Sequence, residues 1–151
     1  MNRSIESLKL LFERDLGILK NELEAYQNES KMWQVEGAIA NSAGNLFLHL
    51  CGNLKHFIGA VIGDSGYIRE REREFNDKNV SKADIAINID ETLAVVTSTL
   101  ENMDPARLED DYPKRVFNGE PINTHLFLFH LSNHLTYHLG QINYHRRLLD
   151  N

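Results

Sequence analysis

The segment from residue 42 to residue 62, SAGNLFLHLCGNLKHFIGAVI, is apolar on almost every side when it is placed on a helix. A helix of this kind is buried, because no face of it favours water. Its polar residues nevertheless fall on one narrow stripe, formed by Asn45, His49, Asn53 and His56. Buried polar groups need partners, so this stripe must face a second set of polar residues inside the protein.

Three further segments have helical periodicity, and no segment alternates as a strand does. The four predicted helices run from about Ser4 to Tyr26, from about Ser42 to Ile62, from about Ser81 to the turn before Pro105, and from about Asn123 to Leu149. Four long helices predict an all-α four-helix bundle. No repeat or linker divides the chain, so residues 1–151 are predicted to form a single domain. The long link between the second and third helices would let those two run parallel.

That link contains a charged stretch, YIREREREFNDKN, in which Arg69, Arg71 and Arg73 alternate with glutamates. The favoured interpretation is a solvated loop. The alternative is that one arginine pairs with a substrate carboxylate at the mouth of a pocket, because a guanidinium binds carboxylates through two parallel hydrogen bonds.

Charge and composition narrow the range of partners. The formal net charge of −6 argues against nucleic acid, which needs a basic surface. Cys51 is the only cysteine, so no intramolecular disulfide can form, and it is predicted to be a packed core thiol. No stretch has the character of a signal peptide or a membrane span. We therefore expect a cytoplasmic protein without a membrane partner.

The last predicted helix carries histidines four residues apart, at His130, His134 and His138. Residues at this spacing share one helical face, and two imidazoles there can bind one metal ion. Burying imidazoles among leucines is costly unless the rings have partners. If this face meets the stripe of the second helix, His49 can reach His134 and His138.

Each of the other histidines of the two stripes has more than one alternative role. His56 and His145 lie about 10 Å further along their helices than the proposed ligands, and are candidates for a pocket wall or a surface position. His56 remains the alternative to His49, which is favoured because it lies in the middle of the helix. His130 is a spare ligand, a supporting group or an exposed residue.

Three amides lie within about one turn of the proposed ligands. Gln141 is predicted to orient a ring or a substrate. Asn45 and Asn53 have the same possible role, with simple hydrogen bonding between helices as the alternative. Tyr137 points away from the histidine face and is predicted to pack in the core.

These residues form a recognisable pattern, in which the last helix reads H-x-x-x-H-x-G-Q at His134, His138, Gly140 and Gln141, and the second helix contributes His49. The pattern resembles the DinB/YfiT-like superfamily of four-helix metalloproteins over nearly the whole chain. The sequence further resembles a branch of that superfamily in which a G-N-L motif precedes an R-x-R-E-F motif. These motifs correspond here to 52–54 and 71–75.

The resemblance implies an up-down-down-up bundle, frequent dimerisation, and a divalent metal, usually zinc or nickel, held by His49, His134 and His138. Some members transfer a low-molecular-weight thiol to an electrophile. We therefore expect a homodimeric, metal-dependent thiol transferase of detoxification or stress response that acts on small molecules. The alternatives are a metal-dependent hydrolase of a small amide or ester, and a non-catalytic dimeric metal-binding bundle.

Overall fold

The computed structural model describes residues 2–151. Over this range the chain is helical, with two isolated β-bridges and no strand, which confirms the all-α prediction. The helices are α1 (Arg3–Ala25), α2 (Ala43–Leu54), α3 (Arg71–Asn76), α4 (Lys82–Asn102) and α5 (Thr124–Leu149). A π-helical turn over Lys55–Ala60 continues α2, and short 3-10 turns occupy Glu29–Trp33 and Pro105–Leu108.

Side-chain caps fix the starts of the long helices. Asn2, Ser42, Ser81 and Asn123 each accept a hydrogen bond from a backbone N–H of the first turn that follows. Such caps satisfy N–H groups that have no partner inside the helix. The predicted helix starts are therefore correct to within one or two residues.

The four long helices enclose one apolar core. Helix α1 packs against α4 and α5, while α2 packs against α5, α4 and α3. Every residue of α2 except Leu48 is buried, as its apolar composition predicts. The polar residues of α2 therefore lie inside the protein, where His49 meets α5 and Asn45 meets α3. None of the helices in residues 2–151 combines the length and apolarity needed to cross a membrane.

The charged stretch between α2 and α4 is not entirely a loop, because it contains α3. The side-chain amide of Asn45 on α2 donates hydrogen bonds of 2.9 Å to the carbonyl oxygens of Glu74 and Asp77 at the end of α3. Asn45 thus ties this short helix to α2. Its role is hydrogen bonding between helices, one of the two alternatives predicted for it.

The connection before α2 packs onto that helix at a glycine. A Cβ atom at position 44 would lie 2.6 Å from the Trp33 ring. The absence of a side chain at Gly44 therefore allows the indole to lie directly on the first turn of α2.

We predict that Gly44→Ala displaces this indole and lowers the free energy of unfolding by about 1–3 kcal/mol, the usual cost of overpacking. Trp33 is the only tryptophan in the chain. Its emission should therefore shift to the red in the folded variant, and chemical denaturation gives the stability change.

Gly17→Ala is the matched control, because no side chain of residues 2–151 comes within 4 Å of a Cβ built there. Alanine is a better helix former, so this variant should gain about 0.5–1 kcal/mol. Unchanged emission in Gly44→Ala, or equal destabilisation of both variants, would contradict the prediction.

Candidate metal centre

Three imidazoles from α2 and α5 meet in the interior of the protein. The Nε2 atom of His134 lies 3.2 Å from Nε2 of His49 and 3.1 Å from Nε2 of His138. His49 is buried and the other two rings are half-buried. One nitrogen from each ring lies within 4.8 Å of the others, so the cluster could hold a metal ion. The structure thus brings together the three residues on which the two predicted stripes converge.

Two of the rings have a hydrogen-bond partner that fixes their tautomer. Nδ1 of His49 lies 3.0 Å from a carboxylate oxygen of Glu74, and Nδ1 of His138 lies 2.7 Å from the side-chain oxygen of Gln141. These oxygens accept hydrogen bonds, so each Nδ1 carries the hydrogen. In a neutral ring the lone pair is then on Nε2, and both lone pairs point towards His134.

Hydrogen bonds between the rings cannot satisfy all three Nε2 atoms. A ring nitrogen either donates one hydrogen or offers one lone pair, so Nε2 of His134 can bond to only one of its two neighbours. Its Nδ1 atom is buried and has no hydrogen-bond partner among residues 2–151. The three Nε2 atoms therefore need a bonding partner other than one another.

A divalent cation fits the cluster. Burial, together with the neighbouring His138 and His49, lowers the pKa of His134 to about 4. Burial also lowers the pKa of His138. Neutral rings offer the lone pairs that metals bind. Tetrahedral bonds of about 2.0–2.1 Å from zinc to imidazole place neighbouring nitrogens about 3.3–3.4 Å apart, close to the 3.2 and 3.1 Å that separate Nε2 of His134 from Nε2 of His49 and of His138.

Glu74 connects this cluster to Arg69, a largely buried arginine. Arg69 donates two hydrogen bonds to its carboxylate, from Nε at 2.9 Å and from Nη2 at 2.8 Å. Burial alone would raise the pKa of Glu74, but the hydrogen bonds from His49 and Arg69 bring this pKa below its ordinary value. The carboxylate is therefore ionised, and its charge is balanced by the guanidinium. The interpretation of Arg69 as part of a solvated loop is wrong, whereas Arg71 and Arg73 are exposed.

Gly52 leaves the space that Glu74 occupies. A Cβ atom at this position of α2 would lie 2.0 Å from Oε2 of Glu74 and 2.6 Å from its carboxyl carbon. The ring of Phe75 lies against His49, with 4.8 Å between the ring centroids. The G-N-L and R-x-R-E-F motifs therefore meet at His49, one through its glycine and the other through Glu74 and Phe75.

Glu74 and Arg69 are the residues that the sequence analysis missed as parts of the site. Their alternation with other charges is typical of an exposed loop. A signal was present in Gly52, because a glycine within a buried helix indicates that another group approaches the backbone closely.

The other predicted residues lie around the cluster in different roles. Gln141 contacts His138, while Asn53 is buried with no partner for its side-chain oxygen among residues 2–151. His130 is exposed and stacks on Phe127, with its centroid 6.4 Å from that of His134. His56 is half-buried beside Phe57 and lies outside the cluster.

His145 is buried and does not have the surface role that was one of its two predicted alternatives. Its Nδ1 lies 2.7 Å from the hydroxyl of Tyr26, and its Nε2 lies 2.7 Å from the carbonyl oxygen of Gln34. A carbonyl oxygen accepts, so Nε2 carries the hydrogen and the tyrosine hydroxyl donates to Nδ1. His145 therefore attaches the end of α1 and the following connection to α5.

The helical fold and the three-histidine cluster define an all-helical protein with a candidate metal centre between two of its helices. The family model described as "Protein of unknown function (DUF1572)" matches residues 3–151, and the chain belongs to this family. A comparison with curated proteins gave no match.

We predict that Glu74→Gln, measured in the presence of a chelator, lowers the free energy of unfolding by about 3 kcal/mol. Removing one member of a buried ion pair leaves the other charge without compensation, and the guanidinium of Arg69 is largely buried. Urea unfolding followed by far-UV circular dichroism measures the loss.

Glu70→Gln is the control, because within residues 2–151 the ion pair that the Glu70 side chain forms is the exposed one with Arg73. Exposed pairs contribute little, so this variant should remain within about 0.5 kcal/mol of the wild type. Equal stabilities for the two variants would show that the Glu74–Arg69 pair does not stabilise the fold.

Proposed function

We propose that this protein is a divalent-metal-dependent enzyme of the DinB-like superfamily that transfers a low-molecular-weight thiol to an electrophile. In this proposal His49, His134 and His138 hold zinc or nickel. The observation that carries the proposal is the convergence of three Nε2 atoms, two of them with lone pairs fixed by Glu74 and Gln141.

Three further features support membership of the superfamily. The packing of α1 on α4 and α5, and of α2 on α5 and α4, is that expected of a four-helix bundle. The link over residues 61–81 is long enough to return along the bundle, as the up-down-down-up topology requires. The H-x-x-x-H-x-G-Q pattern and the two branch motifs meet around one cluster.

Three neutral imidazoles would hold a divalent cation without compensating its charge and would leave room for a further ligand, as three protein ligands do in catalytic sites. When bound, such a cation would lower the pKa of a thiol or water held there and so supply a nucleophile near neutral pH. Glu74 does not cancel this charge, because Arg69 already balances its carboxylate.

The residues of the chain itself hold the rings in the required form. Glu74 keeps the hydrogen of His49 on Nδ1, and Gln141 does the same for His138. Such partners orient ligands and strengthen metal binding. Asn45 contributes indirectly, because its hydrogen bond to the carbonyl oxygen of Glu74 fixes the backbone of that residue.

We predict near-stoichiometric divalent metal in protein purified without chelator or affinity tag, and its loss in His138→Ala, because two imidazoles hold a cation far more weakly than three. His56→Ala is the matched control, since His56 lies on the continuation of the same helix as His49 but outside the cluster. Elemental analysis measures both variants. Unchanged metal content in His138→Ala would refute the proposed site.

We also predict that the metal-loaded protein accelerates the reaction of a small thiol with monochlorobimane, in which a C–S bond forms, the C–Cl bond breaks, and chloride and the thiol proton are released. Glutathione, bacillithiol and mycothiol are the thiols to compare, and bimane fluorescence reports the product. Glu74→Gln should lose at least about tenfold in rate, because partners of ligating histidines contribute that much to metal binding or activity. His130→Ala, which changes an exposed histidine of α5, should retain the wild-type rate.

A metal-loaded protein that hydrolyses a panel of small amides or esters but conjugates no thiol would instead favour the hydrolase. Bound metal with neither activity would favour a non-catalytic metal-binding bundle. The homodimer remains a prediction, which analytical ultracentrifugation of the wild type tests.

A further inference from the structure

A cleft of about 590 Å³ lies between the C-terminal half of α5 and the connection that precedes α2. Its walls include Ala38, Leu46, Tyr137, His138, Tyr144 and Leu148. The volume is within the range of small-molecule sites. Because His138 also belongs to the three-histidine cluster, the cleft adjoins the candidate metal centre.

The lining of the cleft is uncharged. Among residues 2–151 no carboxylate, ammonium or guanidinium group lines it, and its polar groups are amides, imidazoles and tyrosine hydroxyls. Apart from a cation held at His138, an anionic ligand would find no countercharge in this lining, which is costly. The lining therefore favours an uncharged molecule that packs against aromatic rings and forms a few hydrogen bonds.

Three large side chains of α5 are exposed beside this cleft. Tyr137, Tyr144 and Leu148 have 66%, 65% and 63% of their surfaces accessible. Their spacing of seven and four residues places them on one face of the helix. Contiguous exposed apolar surface of this kind marks binding grooves or interfaces. This exposed surface is continuous with the cleft at His138, which favours a ligand groove over an interface.

We infer that the cleft binds an uncharged aromatic or apolar small molecule and that this molecule is the electrophile of the reaction. The first part rests on the lining and the volume, and the second part rests on the proposed function. Glutathione and bacillithiol carry carboxylates, and mycothiol carries many sugar hydroxyls, so an uncharged and largely apolar cleft favours none of the three thiols. The electrophile is the remaining reactant, and the cleft holds it beside His138.

The test uses N-phenyl-1-naphthylamine, an uncharged aromatic probe that fluoresces in apolar sites, with the full-length protein in a chelator. We expect saturable binding of one probe per chain. Leu148→Lys and Tyr144→Ser should each weaken it by about tenfold, the usual effect of losing apolar contacts in a pocket. Leu126→Lys is the matched control, because Leu126 is an equally exposed leucine of α5, at 61%, that does not line the cleft.

Absence of saturable binding, or equal loss in Leu126→Lys and Leu148→Lys, would overturn the inference. So would a wild-type dimer that Leu148→Lys converts to monomers while probe binding is unchanged, because the exposed face would then be an interface between copies. Circular dichroism shows that the variants are folded.

A separate measurement tests whether the molecule bound in the cleft is the electrophile of the reaction. Leu148→Lys should raise KM for monochlorobimane by about tenfold while metal content and KM for the thiol stay at wild-type values. An unchanged KM for the electrophile would overturn the substrate role. If the wild type binds the probe but no metal, the proposed enzymatic function fails while the cleft remains a ligand site.

Discussion

The candidate metal centre depends on one carboxylate, that of Glu74. It lies in the space left by Gly52, is held by two hydrogen bonds from Arg69, and accepts a third from His49. Because the two charges cancel, the histidine cluster has a neutral, directed partner and no net negative charge beside it. The same contact joins α3 to α2, so the interaction that orients a ring also fixes a segment with few apolar residues of its own.

Most of the fold could be predicted because its determinants are local. The apolar period of α1 and the capping side chains of Ser42 and Ser81 are properties of short segments. Helix α3 could not be predicted in this way, because Asn45 supplies hydrogen bonds to it from 29 and 32 residues away. Tyr137 was predicted to pack in the core but is exposed, since its side of α5 borders the cleft rather than another helix.

The sequence indicated the three histidines because each stripe must find partners in the interior. The preference for His49 over His56 rests on its position in the middle of the helix, and the structure places His56 outside the cluster. Arg69 and Glu74 could not be assigned to the site from the sequence, since nothing in a run of alternating charges distinguishes the pair that points into the protein. Only contact with another helix makes that distinction.

The cluster is made from parts of the chain that are far apart in sequence. His49 is 25 residues from Glu74 and 85 residues from His134. In an unfolded chain no helix holds these three imidazoles in place, and closing the loop that brings His49 to His134 and His138 has an entropic cost. Occupancy of a three-nitrogen site would therefore report that the helices have reached their native arrangement. Metal availability in the cell would then influence how long the chain survives proteolysis as well as what it does.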